Sequence, residues 1–415
     1  MLNKVSVGSR DLQKYRMILG SELIDEIEAL AAELEGIRLC HVNSTAYGGG
    51  VAEMLSSYIP LMRSIGIAVD WQVIHGDPRF FTVTKALHNA LQGGDGSLLR
   101  QEESRRLYQM QNQFNASELD RSYDVFIIND PQPAAIRHYS DDLRARWIWR
   151  CHIDTSQPDR GAWDFLRPFV EEHDAAVFTM RQFVPPDLNV PAIATIAPAI
   201  DALSPKNMAL PRPLCREMTD NLGIARDRPL ILQVSRFDPW KDPFGVMEIY
   251  RIAKQSLPGL QLALVGALAS DDPEGYRMYA AVNAEADKDD DIHVFTNLTG
   301  VGSMQVNAFQ TASDVAIQKS IREGFGLVVS EALWKSVPVV AGKAGGIPMQ
   351  MTGDLSAYLI QTVEECAEKV VGLIRDRELA LELGRQGKEH VKRSFLMPRL
   401  IRDELALVRQ VLGAA

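Results

Sequence analysis

Two cations stand close together in the stretch LQVSRFDPWKDP, where Arg236 and Lys241 follow an apolar run and are bracketed by Pro239 and Pro243. A guanidinium fork beside a point-charge ammonium, on a loop that two prolines stiffen, suits a pyrophosphate. The alternative for these residues is a surface salt-bridge set with Asp238 and Asp242. A second stretch, IREGFGLVVSEALWKSVPVV, carries Glu323 in a loop and Glu331 eight residues later, about one turn into a helix that begins near Leu327. Gly324 and Gly326 let the loop backbone approach a ligand and present N–H groups at a positive helix end, where an anion or a sugar oxygen fits. Carboxylates accept hydrogen bonds from vicinal hydroxyls such as those of ribose and hexoses. Otherwise Glu331 is a solvated helix residue and Glu323 a helix cap.

Two weaker signals lie in the first half. In HVNSTAYGGGVAEML a strand runs into Gly48, Gly49 and Gly50 and then into a helix. These glycines allow close backbone approach or merely turn the chain, but they lack the GxGxxG order of a dinucleotide site. No acidic residue suited to an adenosine ribose ends the next strand, which disfavours a nicotinamide-dependent oxidoreductase. In FIINDPQP and WIWRCHIDTS, polar residues follow directly on apolar strands: Asn129 and Asp130 in the first, His152 and Asp154 in the second. A carboxylate with an imidazole suits sugar hydroxyls, and neither pair has metal-ligand spacing such as HExxH. The DxD spacing within residues 287–291 reads as a solvated connector. Cys151 and His152 are neighbours in a strand, so they point to opposite faces and make no nucleophile pair.

The elements that position these residues alternate. Strand candidates are residues 38–43, 69–75, 124–129, 147–151 and 175–178, then 230–234, 261–265, 292–295, 315–318 and 337–340, with longer amphipathic segments between them. That is the pattern of βαβ units around parallel sheets. Residues 196–213 carry Pro198, Pro205, Pro211 and Pro213 and separate the two series. Residues 11–34 read as an amphipathic helix covering a sheet, and residues 363–412 as consecutive helices. Two doubly wound domains place ligands at the carboxyl ends of strands, so the chemistry belongs in the loops that follow them.

The 415 residues carry 54 acidic and 44 basic side chains, a formal charge of −10, with 46% hydrophobic and 24% charged residues. That composition fits folded domains with more than one core and excludes general disorder. The acidic balance argues against a nucleic-acid binder. Four scattered cysteines, Cys40, Cys151, Cys215 and Cys366, form no CxxC pair and read as inert buried thiols. No run approaches the ~18 apolar residues of a membrane span and the N-terminus lacks a secretory apolar block, so a cytoplasmic location without membrane attachment is expected.

Taken together, HVNSTAYGGGVAEML, FFTVTKALHNALQG, DPQPAA, WRCHIDTSQPDR, VSRFDPWKDPFGVMEIYR, LVGALASDDPEGY and NAFQTASDVAIQKSIREGFGLVVSEALW resemble the retaining glycosyltransferases of the GT-B fold. Within that group the chain is similar to the trehalose glycosyltransferring synthases, relatives of the trehalose phosphorylases. The resemblance implies an α/β GT-B architecture: a Rossmann-like acceptor domain over residues 1–205, a Rossmann-like nucleotide-sugar domain over 206–395, and a helix over 396–415 that crosses back to the first. The two domains are expected to face each other across a cleft. It implies that Arg236 and Lys241 neutralise the donor diphosphate and that Glu331 holds the ribose. Glu323, with the backbone of Gly324, Phe325, Gly326 and Leu327, would hold the transferred glucose. Gly49 and Gly50 would approach that sugar and its phosphate, His152 its outer hydroxyls, and Asp130 and Asp154 the acceptor. Asn129 departs from the histidine expected before DPQP. Backbone groups near Gly266 and Asn297 would meet the base. The implied partners are a nucleoside diphosphate glucose (ADP-, UDP- or GDP-glucose) and glucose or trehalose, with a homodimer allowed. No cofactor and no metal are implied. The rival readings are a trehalose phosphorylase using inorganic phosphate, another glucosyl acceptor, and a sugar-nucleotide sensor without turnover.

Overall fold

A computed structural model describes residues 1–140, 144–268 and 273–413. The chain divides into two compact units, one made of residues 1–198 with 397–415 and the other of residues 199–396.

The first unit is built on seven strands: β1 (Asn3–Lys4), β2 (Arg38–Asn43), β3 (Ala68–Val73), β4 (Val125–Asn129), β5 (Arg146–Cys151), β6 (Ala175–Phe178) and β7 (Ala192–Thr195). Their order is β1-β3-β2-β4-β5-β6-β7, all parallel except β1, which pairs antiparallel with β3 at the edge. The second unit holds β8 (Leu230–Val234), β9 (Gln261–Gly266), β10 (Ile292–Thr296), β11 (Val315–Gln318), β12 (Val339–Gly342) and β13 (Leu359–Ile360). Its order is β10-β9-β8-β11-β12-β13, parallel throughout. Central strands such as VFIIN and VAIQ are buried along their whole length, because helices cover both faces of a parallel sheet.

In each sheet the strand order reverses once, between β2 and β4 in the first unit and between β8 and β11 in the second. Loops leaving the carboxyl ends of two such neighbours diverge around an opening, the usual ligand position in an open α/β sheet. β11 pairs directly with β8 through Val315 and Ile231. The loops carrying Arg236 and Lys241 on one side and Glu323 on the other are therefore adjacent by topology, although some 80 residues apart in sequence.

Strand existence follows the apolar runs, and the differences lie at edges. β1, β7 and β13 are short or half-exposed and show no apolar run long enough to read. The segment 11–34 is not one helix: Gly20, at φ 82°, ends a first turn over Leu12–Tyr15 and Arg16–Leu19, and a separate helix runs over Glu22–Glu33. That helix buries Ile24, Ile27, Leu30 and Ala31 and packs against the C-terminal helix Met397–Leu412. Residues 363–412 form three helices, of which Val363–Arg375 and Arg377–Ser394 belong to the second unit and Met397–Leu412 to the first.

Candidate active site

In the second unit the loop after β8 and the loop after β11 are fastened by crossed ion pairs. Lys241 Nζ lies 2.5 Å from Glu323 Oε2, and Lys319 Nζ bonds Asp242 in the opposite sense. Between them the Ile321 amide donates to the Trp240 carbonyl at 2.8 Å, and the Arg322 guanidinium stacks 4.8 Å from the Trp240 ring centre. Asp242 is held in the left-handed region (φ 47°), which a non-glycine residue adopts at some cost. Its carboxylate caps the helix Pro243–Ser256 through the Gly245 amide. Gln233 pins the Lys241 carbonyl at 2.7 Å. Lys241 is thus held at its Nζ by Glu323 and at its carbonyl by Gln233, whereas Arg236, half-exposed, pairs with Asp238 in its own loop at 3.4 Å. The surface-pair alternative therefore describes Arg236 and not Lys241, whose carboxylate partner comes from the other loop.

Lys241, Ser320 Oγ (3.1 Å) and Gln318 Nε2 (3.5 Å) all converge on Oε2 of Glu323, so Oε1 is the oxygen turned to other acceptor work. Glu323 does not cap a helix; Gly326, at φ 82°, is the first residue of the turn into the helix Leu327–Trp334, which has no side-chain cap. The carbonyls of the glycine loop are taken from behind, Gly324 O by the Gly346 amide (3.0 Å) and Phe325 O by Gln350 Nε2 (2.6 Å). A backbone whose carbonyls are tied on one side presents its amides to the other, at the positive end of a helix dipole. Gly345 permits this approach: at φ 49°, a β-carbon there would sit 1.5 Å from Glu323 O.

Glu331 is only 1% exposed and so is no solvated helix residue. Lys206 Nζ meets its Oε1 at 2.9 Å and Gln310 Nε2 its Oε2 at 2.9 Å. Burial acts to raise its pKa, but Lys206, Lys335 and the Gln310 bond outweigh it, and the net displacement is downward, so the buried group stays a carboxylate. Asn297 spends its side-chain amide on the Leu268 amide and carbonyl (2.8 and 3.1 Å), bracing the turn that leaves β9. The stretch LVGALASDDPEGY lies partly outside the described residues, at 269–272.

In the first unit, register pairs Asn129 on β4 with Arg150 on β5, so the residues that follow each strand are neighbours. Asn129 Nδ2 donates to the carbonyls of Val42 and Ile127, both at 3.2 Å, which orients its Oδ1 toward His152 Nε2 at 3.0 Å. The imidazole must then carry its proton on Nε2 and present Nδ1 as an acceptor. Burial, helped by the Arg150 charge, lowers the His152 pKa well below its ordinary value, so the ring is neutral. Asp130 sits at φ 66° and accepts the His152 amide at 2.9 Å. Asp154 closes its own turn by accepting the Ser156 amide at 2.9 Å. Gly49 is extended (φ −157°) and precedes the helix Gly50–Ser64, with open space around the position a β-carbon would take.

The first half matches the model described as "Trehalose synthase, N-terminal domain" over residues 41–185, and residues 216–390 match "Glycosyl transferases group 1". A trehalose synthase of Rubrobacter xylanophilus is 50% identical over the whole of both chains. The chain belongs to the trehalose synthase family. A trehalose synthase of Pyrococcus horikoshii is 43% identical over 99% of each chain. Among solved structures, a UDP-forming α,α-trehalose-phosphate synthase from Burkholderia xenovorans superposes with a TM-score of 0.71 at 15% identity, covering 91% of this chain and all of the other. This trehalose synthase family member is therefore a glycosyltransferase with the GT-B fold, acting in trehalose-related glycosyl transfer.

Several residues that shape the site in this trehalose synthase family member carry no motif signal of their own. Lys319, Asp242, Gln318 and Ser320 fix the two loops, and Lys206 and Gln310 hold Glu331. Only the adjacency of Lys319 and Ser320 to the glycine loop could have drawn attention to them. The acidic residues near 287–291 are paired rather than simply solvated: Lys254 meets Asp289 (2.9 Å) and Asp291 (3.1 Å), and Arg228 meets Asp291 (2.6 Å). All four cysteines are buried and free.

Asp130 supplies a pH test. Burial pushes its carboxyl from the ordinary 3.8 up to about 7, against the lowering effects of the His152 amide and Arg150. A group whose folded-state pKa is raised contributes stability that is full below the ordinary value and is lost as the pH rises through the folded one. Asp130→Asn keeps an oxygen for the His152 amide and cannot ionise. The expected result is that melting temperature, followed from pH 3.8 to about 7, declines less steeply in Asp130→Asn than in the parent protein. Equal slopes would show that Asp130 ionises freely.

Proposed function

We propose that the protein transfers glucose from a nucleoside diphosphate glucose to free glucose, with retention, to give α,α-trehalose, and that the reaction runs in both directions. The observation that carries this reading is the joint placement of Lys241, Glu323 and the glycine-bearing turn 324–327 where the strand order of the second sheet reverses. Diphosphate departure develops negative charge, and preorganised cations and amides stabilise such charge without reorganising. Lys241 is held in place for that task, and the half-exposed Arg236 is free to fold onto the second phosphate. Oε1 of Glu323 accepts a hydroxyl of the transferred glucose, and Glu331 accepts the ribose hydroxyls. In the first unit the neutral His152, with Asp130 and Asp154, offers acceptors to sugar hydroxyls, and the bare Gly49–Gly50 backbone admits close approach.

Retention by double displacement needs a nucleophilic carboxylate ~5 Å from an acid across the reacting carbon. We favour instead a same-face displacement: the glycosidic C1–O bond to the diphosphate breaks, the acceptor oxygen bonds to C1 on the same face, and its proton passes to the departing phosphate oxygen. Charge stabilisation falls to protein groups in this scheme, with no metal in it. Trapping a glucosyl–enzyme adduct would refute it. The four buried free thiols support a reducing compartment such as the cytoplasm, and no helix among the described residues is long and apolar enough to cross a membrane.

The test is a panel of nucleoside diphosphate glucoses with free glucose, scored by product identity. α,α-Trehalose with release of the nucleoside diphosphate is expected. Conversion of trehalose and inorganic phosphate to glucose 1-phosphate, with no reaction on any nucleotide, would assign a phosphorylase instead.

A further inference from the structure

Glu331 has two carboxylate oxygens and about four acceptor positions. Two are used within the second unit: Lys206 takes one on Oε1 and Gln310 one on Oε2, each at 2.9 Å. One acceptor position then remains on each oxygen, the arrangement that a vicinal pair of hydroxyls requires. Lys206 does not come from the helix of Glu331 but from the segment after Ala199, and that segment is tied down on both sides of it. Asn307 Nδ2 donates to Pro205 O (3.0 Å) and Met208 O (2.9 Å), Trp334 Nε1 to Asn207 O (3.0 Å), and Lys335 Nζ to Asn207 Oδ1 (2.8 Å). Four hydrogen bonds from three side chains thus hold three residues of otherwise irregular backbone, and the ammonium they aim reaches a carboxylate that is 1% exposed.

We propose that Lys206 is a positioning residue for ribose recognition, holding Glu331 ionised and oriented so that its remaining acceptors meet the vicinal hydroxyls of a nucleoside diphosphate. This rests on the reading of Glu331 as the ribose carboxylate. Lys206 acts through Glu331 and touches no substrate. Buried carboxylates without a cationic partner neutralise by taking up a proton, and a protonated Glu331 would offer the diol a donor where an acceptor is needed. Among the described residues, the charged groups acting on Glu331 are Lys206 from the connecting segment and Lys335, which follows its own helix, with the neutral Gln310 from the helix Ser303–Ala312.

The experiment measures binding of uridine and adenosine diphosphates and their 2′,3′-dideoxy counterparts by calorimetry. The proteins are the full-length parent, Lys206→Met, Lys206→Arg, Glu331→Gln and the Lys206→Met/Glu331→Gln double variant. The parent is expected to prefer the ribose form by about tenfold, the factor that charge-assisted bonds to a diol carry. Lys206→Met should lose most of that preference while binding the dideoxy form as the parent does, Lys206→Arg should keep it, and the double variant should match Glu331→Gln. Affinity of Lys206→Met should also fall as the pH is lowered toward neutrality and below, where the parent stays flat. Lys206→Gln, which retains a donor without charge, is read in the same assays in case the methionine variant does not fold. If the parent shows no ribose preference, or Glu331→Gln keeps it, the reading of Glu331 fails. If Glu331→Gln loses the preference and both Lys206→Met and Lys206→Gln keep it with a flat pH profile, the role of Lys206 is overturned.

Discussion

Lys241→Ala is expected to lower turnover by at least about tenfold, because removing one charge-assisted partner of a diphosphate forfeits about 1.5–3 kcal/mol, and each 1.36 kcal/mol is a factor of ten in rate. The loss has two sources. The departing diphosphate loses a cation, and Glu323, which shares its Oε2 with Lys241, Ser320 and Gln318, loses the strongest of the three. Lys241→Ala should therefore affect the chemical step more than donor affinity, whereas Arg236→Ala, at a half-exposed position with only Asp238 beside it, should fall nearer tenfold and raise KM as well. Steady-state kinetics over a range of donor concentrations up to saturation decide the matter. Near-normal turnover in both variants would show that the diphosphate lies elsewhere.

The largest expected stability loss falls on a residue of the first unit. Glu404, 3% exposed on the C-terminal helix, accepts from Tyr58 and bonds Arg150 Nη1 at 2.6 Å, with His41 Nε2 3.0 Å away. Arg150 is itself 2% exposed on β5. Glu404→Ala leaves that guanidinium buried without its counter-charge, a change that typically costs about 3–5 kcal/mol. A denaturant melt should show the midpoint falling accordingly, and a change below about 1 kcal/mol would mean that water reaches the Arg150 guanidinium once the carboxylate is gone. Burial alone would raise the Glu404 pKa, yet His41, Arg150 and Tyr58 hold it down at about 2. Its contribution is thus complete above the ordinary glutamate value of 4.5 and is lost as the pH falls toward about 2, so Glu404→Ala should flatten the acid limb of the stability curve.

Arg150 also links this network to Asn129 and His152. It pairs in register with Asn129 and precedes Cys151 and His152, and its charge helps to keep the His152 ring neutral. The asparagine in place of an expected histidine has a definite consequence: its amide is oriented by two carbonyls and selects the Nε2–H tautomer of His152. A histidine there could not fix that tautomer by the same two bonds.

The strands and the loops after them were legible because period and composition are local. Apolar runs such as Leu230–Val234 and Val315–Gln318 stand out from their neighbours, and glycine, proline and charge mark where each run ends. Edge strands such as Ala192–Thr195 alternate between half-buried and exposed residues and left no such trace. Likewise, Gly20 divides the N-terminal helix through a backbone angle that amphipathic spacing does not report.

What the order of residues determined by itself was therefore the series of β and α elements, the glycine-bearing turns and the residue types on the loops. Which partner each charge takes was decided by the tertiary structure. Lys241 chose Glu323 over its near neighbours Asp238 and Asp242, Asp242 took Lys319, and the burial of Glu331 rests on Lys206. The physical reason is that β8 and β11 lie side by side only once the sheet has formed. An ion pair depends on distance and burial, and neither is carried by separation along the chain.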